Sequence, residues 1–252
     1  LIYKKFDNGI FYQADTFDAM AKLPDNSIDM VLCDLPYGTT QCKWDAIIPF
    51  DELWKEYYRI SKEAAPIVLT ASQPFTSALI MSNVKDFKYC WVWNKVNKFT
   101  GSLNANRMPM LDYEDVAVFY RKQCVYNKQL RPGSYVTRHT NGDRNTDTVG
   151  KSSIKPDVGR KVDGLNPKRI IDFPSQTTKN IIHPTQKPVS LFEYFIKTYT
   201  NENAIVLDNT AGSGTTAIAA INTKRRWICI ERDETYYNAA IDRIEKHTIG
   251  NF

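Results

Sequence analysis

The feature that most constrains this chain lies near its end. An apolar run, Ala204-Ile205-Val206-Leu207, stops at Asp208 and passes through Asn209-Thr210-Ala211-Gly212-Ser213-Gly214 into a helical pattern that continues to Ile221. A second apolar run, Trp227-Ile228-Cys229-Ile230, stops at Glu231, and a closing helical pattern covers residues 234–247. Strand, turn, helix, strand and helix in that rhythm specify a parallel sheet with helices packed on it, an α/β fold. Gly212 and Gly214 let the backbone turn sharply and let a ligand approach the main chain at the positive end of a helix. Glu231 stands nineteen positions after Gly212. A carboxylate at that place accepts hydrogen bonds from the ribose hydroxyls of an adenosine-type ligand.

The same segment limits the alternatives. Gly212-Ser213-Gly214-Thr215-Thr216-Ala217 satisfies the dinucleotide pattern, so a nicotinamide cofactor stays open. Against it, only 38 residues follow Gly214, too few for the remaining strands of an unpermuted dinucleotide fold. No Gly-Lys-Ser/Thr follows the turn, which excludes a Walker-type phosphate loop. The other strands must come earlier in the chain. Ile28–Cys33, Pro66–Leu69, Tyr89–Trp93 and Val116–Tyr120 read as strands, and residues 50–61, 74–82 and 189–199 as helices. From about 121 to 182 the pattern dissolves into Gly, Pro, Asn, Ser, Thr and Lys, the mark of a functional or disordered insert. The expected organisation is one half-domain over residues 1–120, an insert over 121–182, and a ligand-binding half over 183–252.

Asp34-Leu35-Pro36-Tyr37-Gly38 follows the strongly apolar Ile28–Cys33 run. Open parallel sheets bind ligands beyond the carboxyl ends of their strands. Pro and Gly here also suit a plain corner, but the chemistry on offer is specific. Asp34 brings a carboxylate acceptor, Pro36 a carbonyl held by its ring, and Tyr37 a flat face for stacking. Two acceptors aimed at the hydrogens of an aromatic amine favour a pyramidal nitrogen with a usable lone pair. A carboxylate is too weak a base to strip that amine outright, so Asp34 orients it and takes the proton as or after a new bond forms.

Charge is distributed unevenly. Residues 121–187 hold 14 Lys and Arg against five Asp and no Glu, while the whole chain is only +5. A basic insert on a slightly acidic body suits a phosphate backbone. Arg131, Arg138, Arg144, Arg160, Lys161, Lys168 and Arg169 are the candidates for phosphate or guanine contacts, although a solvated charge explains any single one. The five cysteines, 33, 42, 90, 124 and 229, include no Cys-x-x-Cys pair, which points to reduced thiols and no metal. No long apolar run and no signal-peptide core are present, so a soluble, cytoplasmic protein without membrane contact is expected.

Taken together these motifs resemble the β-type amino-methyltransferases of DNA. In that family an Asp-Pro-Pro-Tyr box precedes a target-recognition insert, and a Phe-x-Gly-x-Gly cofactor loop comes last. Tyr12-Gln13-Ala14-Asp15 and Leu23-Pro24-Asp25-Asn26-Ser27-Ile28-Asp29 lead into the box, and His183-Pro184-Thr185-Gln186-Lys187-Pro188 precedes the cofactor strand, as the family has them. The resemblance covers nearly the whole chain. It implies a methyltransferase-type doubly wound, mostly parallel sheet in permuted order, with the irregular insert as target-recognition region. It implies S-adenosylmethionine as cofactor and double-stranded DNA as partner, the enzyme being monomer or homodimer. Asp34, Pro36 and Tyr37 would be catalytic. Asp15 would lie near the cofactor's adenine and Lys187 near its methionine carboxylate, with Asp208, Thr210, Gly212, Gly214 and Glu231 completing the cofactor site. Trp91, Trp93 and Lys95 resemble the family's stretch beside the base pocket.

Two departures matter. Leu35 replaces the first proline of the box, and Asn209-Thr210 replaces Pro-Phe in the cofactor loop, removing an apolar cofactor contact. Aspartate at position 34 favours adenine N6 over cytosine N4. Cytosine-N4 methylation, and a DNA-binding protein on a decayed methyltransferase scaffold, stay as alternatives.

Overall fold

Residues 1–38, 45–136, 161–176 and 181–250 are described in the computed structural model. Two units emerge, Leu1–Asn127 with Arg169–Phe252, and Lys128–Lys168. The larger unit runs β1 (Ile2–Phe6), β2 (Gly9–Gln13), α1 (Thr16–Met20), β3 (Met30–Asp34), α2 (Phe50–Ile60), β4 (Ile67–Ala71), α3 (Phe75–Ser82), β5 (Phe87–Asn94) and β6 (Tyr113–Phe119) before the smaller unit. It resumes with β9 (Ile170–Asp172), α4 (Val189–Tyr199), β10 (Ile205–Asp208), α5 (Thr215–Asn222), β11 (Arg226–Glu231) and α6 (Glu234–Ile249). The smaller unit contributes β7 (Arg131–Val136) and β8 (Lys161–Leu165), an antiparallel pair.

Among the described residues the main sheet has the order β1-β2-β11-β10-β3-β4-β6-β5-β9. From β2 through β11, β10 and β3 to β4 every neighbour is parallel. The β1 edge and the β4-β6-β5 flank are antiparallel, because β1 turns directly into β2 and β5 directly into β6. This is the expected mostly parallel α/β sheet in permuted order. The β1–β2 hairpin was not legible beforehand. Lys4 and Lys5 interrupt any alternation in β1, and charge is what an edge strand needs to resist further pairing. The insert expectation also differs in detail: Ile170–Asp172 pairs with Val92–Asn94 of β5 and so belongs to the main sheet.

Side-chain alternation sorts the core into two layers. On β3, Val31 and Cys33 face α1, α2 and α3, meeting Leu53, Tyr57, Phe75 and Leu79. Met30 and Leu32 face α4, α5 and α6, meeting Leu191, Phe195, Ile218 and Ile244. Both faces of the parallel strands are covered, which explains their nearly continuous apolar sequences. Trp91 and Trp93 alternate onto the second layer and are buried, each indole N–H satisfied, by Tyr199 Oη and the Phe173 carbonyl.

Candidate active site

The sheet order lines up what the sequence keeps far apart. Asp34, Asp208 and Glu231 end the parallel neighbours β3, β10 and β11, and Asp15 follows the end of β2. Four carboxylates therefore stand along one carboxyl edge, where parallel sheets place ligands. A cavity of about 660 Å³ opens there, lined by all four, by Pro36 and Tyr37, by Thr210 and Gly212, and by Lys187. That volume lies within the range of small-molecule sites.

At the cofactor end, Gly212 and Gly214 have φ of +47° and +71°, the left-handed conformation that favours glycine. A Cβ on Gly212 would lie 3.4 Å from the His183 ring, an ordinary contact, so the left-handed φ rather than crowding is what calls for glycine here. Glu231 accepts from Gly212 N at 2.9 Å through one oxygen and from Asp233 N at 2.8 Å through the other. Burial pushes its carboxyl up, and these two N–H donors oppose the shift. Asp208 is almost wholly buried, and desolvation pushes it up to about 7 although Thr216 Oγ1 and Thr210 N donate to it. Asp15 caps α1 by accepting from Phe17 N at 2.9 Å, so it fixes local structure as well as lining the cavity.

At the other end, an alternating array of charges surrounds Asp34. Tyr37 Oη lies 2.9 Å from Asp34 Oδ1, Thr70 Oγ1 donates to the same oxygen, and Lys187 Nζ lies 2.7 Å from Oδ2. Lys187 also reaches Glu114 Oε2 at 3.3 Å, and Glu114 Oε1 pairs with Lys95 at 2.9 Å. Burial would depress the Lys187 ammonium, but Asp34 and Glu114 outweigh it and hold the group above its ordinary value. Burial likewise would raise Glu114, and Lys187 and Lys95 keep it below the ordinary glutamate value. Tyr37 is a neutral phenol here, pushed well up by burial and then by the Asp34 and Glu114 charges. One face of its ring stacks on Phe75, with centroids 5.1 Å apart and planes 25° from parallel.

Three placements go beyond what the sequence suggests. Lys187, expected beside a cofactor carboxylate, lines the cavity and pairs there with Asp34 and Glu114. Glu114 was not anticipated at all. Its signal was alternation: Glu114, Val116 and Val118 fall on one face of β6, and a carboxylate in phase with buried valines is anomalous. Asn209, read as the loss of a proline, is a buried tie between the two halves of the chain. Its Oδ1 accepts from Tyr57 Oη at 2.6 Å and Cys33 Sγ at 2.9 Å, and its Nδ2 donates to Thr16 Oγ1 at 2.8 Å. Thr210 Oγ1 donates to the Asp34 carbonyl at 3.0 Å, adding a second tie. Of the basic candidates in the insert, Arg138, Arg144 and Arg160 lie outside the described residues, as does Cys42.

Comparison with known proteins decides the family. The DNA methylase family matches residues 28–242, which span both motif-bearing strand ends. The chain belongs to the DNA methylase family. Among relatives of this methylase, the type II methyltransferase M.HindIII of Haemophilus influenzae is 23% identical over 301 residues, covering 92% of this chain and 94% of its own. The fold is shared with solved structures. The M1.HpyAVI–SAM complex aligns with a TM-score of 0.60 at 23% identity, covering 92% of the methylase and 98% of that chain. The cytosine-N4-specific PvuII DNA methyltransferase aligns with a TM-score of 0.67 at 17% identity, covering 97% and 92%.

Proposed function

We propose that this methylase transfers a methyl group from S-adenosylmethionine to N6 of an adenine extruded from double-stranded DNA. One observation carries the reading: Asp34, Pro36 and Tyr37 line the same cavity as Gly212, Asp208 and Glu231. The donor set suits the cofactor, with carboxylates for ribose hydroxyls and a glycine turn that lets it approach the backbone. Asp15, Asp208, Thr210, Gly212, Gly214 and Glu231 would hold it. Lys187 we assign to the amine pocket, because its ammonium already rests on Asp34. S-adenosylmethionine supplies an electrophilic methyl group carried on a sulfonium.

The chain's own residues then do the rest. N6 is out of reach inside a duplex, so the base must leave the stack. The Tyr37 ring, backed by Phe75, lines the cavity and holds the purine once Lys187 Nζ, 5.7 Å from its centroid, gives way, a contact worth about 1–3 kcal/mol by analogy with other base-stacking sites. Asp34 Oδ2 exchanges its Lys187 partner for an N6 hydrogen while the Pro36 carbonyl takes the other. Lys187 stays neutralised throughout because Glu114 remains beside it. As the nitrogen gains its methyl it releases a proton to Asp34. Positioning, with acceptors fixed in advance, supplies most of the effect. We further propose that residues 121–182 read the target sequence, that the enzyme is cytoplasmic, and that it works as monomer or homodimer.

The test is direct. Purified protein, labelled S-adenosylmethionine and unmethylated DNA should yield N6-methyladenine on nucleoside analysis, and sequencing the modified DNA gives the motif. Asp34→Ala should abolish transfer and leave DNA binding intact. The fold likeness to a cytosine-N4-specific enzyme supports a second reading, and recovery of N4-methylcytosine alone would establish it. DNA binding with no cofactor binding in calorimetry would leave only the decayed scaffold.

A further inference from the structure

The connection from β5 to β6 is a projecting hairpin with an unusual surface. Every residue from 96 to 110 is exposed. The hairpin is nonetheless built: Lys95 N bonds the Asp112 carbonyl, and Thr100 and Leu111 exchange both backbone hydrogen bonds at 2.8 and 3.0 Å. Gly101, at φ +88°, turns the chain into a 3-10 turn, Ser102–Asn104. At its tip Leu103 is 100% exposed, with Phe99, Met108 and Met110 also standing in solvent. Scattered exposed apolar side chains are ordinary, but a cluster on one ordered projection marks a contact surface. Residues 95–111 carry Lys95, Lys98 and Arg107 and no acidic residue. Apolar tips flanked by cations and asparagines fit a nucleic acid rather than a protein core. The root of the hairpin is continuous with the active site, since Lys98 and Thr100 line the cavity mouth.

We propose that this hairpin is a wedge into duplex DNA, with Leu103 occupying the gap left in the stack by the extruded base. The inference rests on the methyl-transfer reading above. Extruding a base opens a slot about 3.4 Å deep between neighbouring bases, which water fills poorly. A leucine in that slot restores part of the lost stacking by dispersion and holds the base out, while Lys98 and Arg107 sit against phosphates. Leucine and methionine side chains serve as such wedges in other architectural DNA-binding proteins.

The experiment compares Leu103→Ala with the wild type on two duplexes built on the methylated motif, one fully paired and one with the target base opposite an abasic site. In the second, pairing no longer opposes extrusion. A loss of at least about tenfold in kcat/KM on the paired duplex, with less than about twofold on the abasic one, is expected. Leu103→Met should recover most of the activity, because methionine also intercalates. Replacing the target with 2-aminopurine should show weaker fluorescence gain for the alanine variant. Equal losses on both duplexes, or none on either, would overturn the wedge. A homodimer in sedimentation that Leu103→Asp converts to monomer would also overturn it, by making the patch a chain–chain contact. Calorimetry with S-adenosylmethionine checks that the variant is folded. Wild-type protein inactive on both duplexes would instead sink the methyl-transfer reading, and the wedge with it.

Discussion

Replacing Glu114 by glutamine tests the charge array beside Asp34. The substitution keeps the side-chain volume and one carbonyl acceptor, but deletes a charge 2.9 Å from Lys95 and 3.3 Å from Lys187. Both ammonium groups stay buried, their side chains only 8% and 7% exposed, and Lys187 keeps Asp34 alone. Removing one partner of a buried ion pair costs about 3–5 kcal/mol. The amide oxygen and the surviving Lys187–Asp34 pair return part of that, leaving a loss of about 2–3 kcal/mol. In a chain of this size each kcal/mol moves the melting midpoint by about 2–4 °C, so Glu114→Gln should melt about 4–12 °C lower near neutral pH. The pH dependence fixes the cause. Because Lys187 and Lys95 hold the Glu114 carboxyl below its ordinary value against its burial, its contribution exists above the unfolded pKa and disappears as pH falls through the folded one. The gap between variant and wild type should therefore close below about pH 4. On the alkaline side the Lys187 contribution is present below its unfolded pKa and is lost only above it, outside the working range. Melts followed by circular dichroism across this range are the assay. A midpoint within about 2 °C of wild type at neutral pH, or a gap that persists in acid, would refute the reasoning.

Other substitutions probe the cofactor end. Burial raises Asp208 to about 7, so its stabilising contribution is complete below the unfolded value near 4 and is lost as pH rises through 7. Asp208→Asn should accordingly gain in melting midpoint relative to wild type between pH 5 and 8, and a gap independent of pH would count against a buried ionisation there. Asn209→Ala removes the acceptor 2.6 Å from the Tyr57 hydroxyl and the amide donor to Thr16 Oγ1, which keeps its bond to the residue 209 carbonyl at 3.1 Å, and urea denaturation should show a loss of about 1–3 kcal/mol; under about 0.5 kcal/mol would mean the ties are dispensable. Gly214→Ala puts a Cβ 3.2 Å from Ile244 Cδ1 at positive φ, which should cost about 1–2 kcal/mol and weaken S-adenosylmethionine binding in calorimetry, whereas unchanged affinity would separate the turn from the cofactor.

Which parts of this molecule could be read in advance follows from how far their causes reach along the chain. The segment from β10 to α6 was legible because strand, glycine turn and helix are all specified within a few residues. So was β3 with Asp34 at its end. The first hairpin was not, since β2 pairs with β11 at the far end of the chain, and α1 is only five residues long. The candidate site shows the same division. Motifs located Asp34, Lys187 and Glu231, but no local rule says that Lys187 pairs with a carboxylate 153 positions earlier and another on β6. Asn209 is the clearest case. It stands where the family has proline, beside the Thr210 that replaces the phenylalanine contact, and only the packing of Tyr57, Cys33 and Thr16 around it shows what the amide does.

The knitting of β10 against β3, reinforced by that amide, bears on how the chain tolerates being cut. Among the described residues, a break between Val136 and Lys161 interrupts no strand of the nine-stranded sheet, and the pairs β2–β11, β3–β10 and β5–β9 all hold the two pieces together across it. The two pieces present complementary unpaired edges and apolar helix faces, so fragments produced separately should find one another and regenerate a working catalyst by complementation. The reaction centre is assembled by surfaces that meet without continuity of the polypeptide through that stretch.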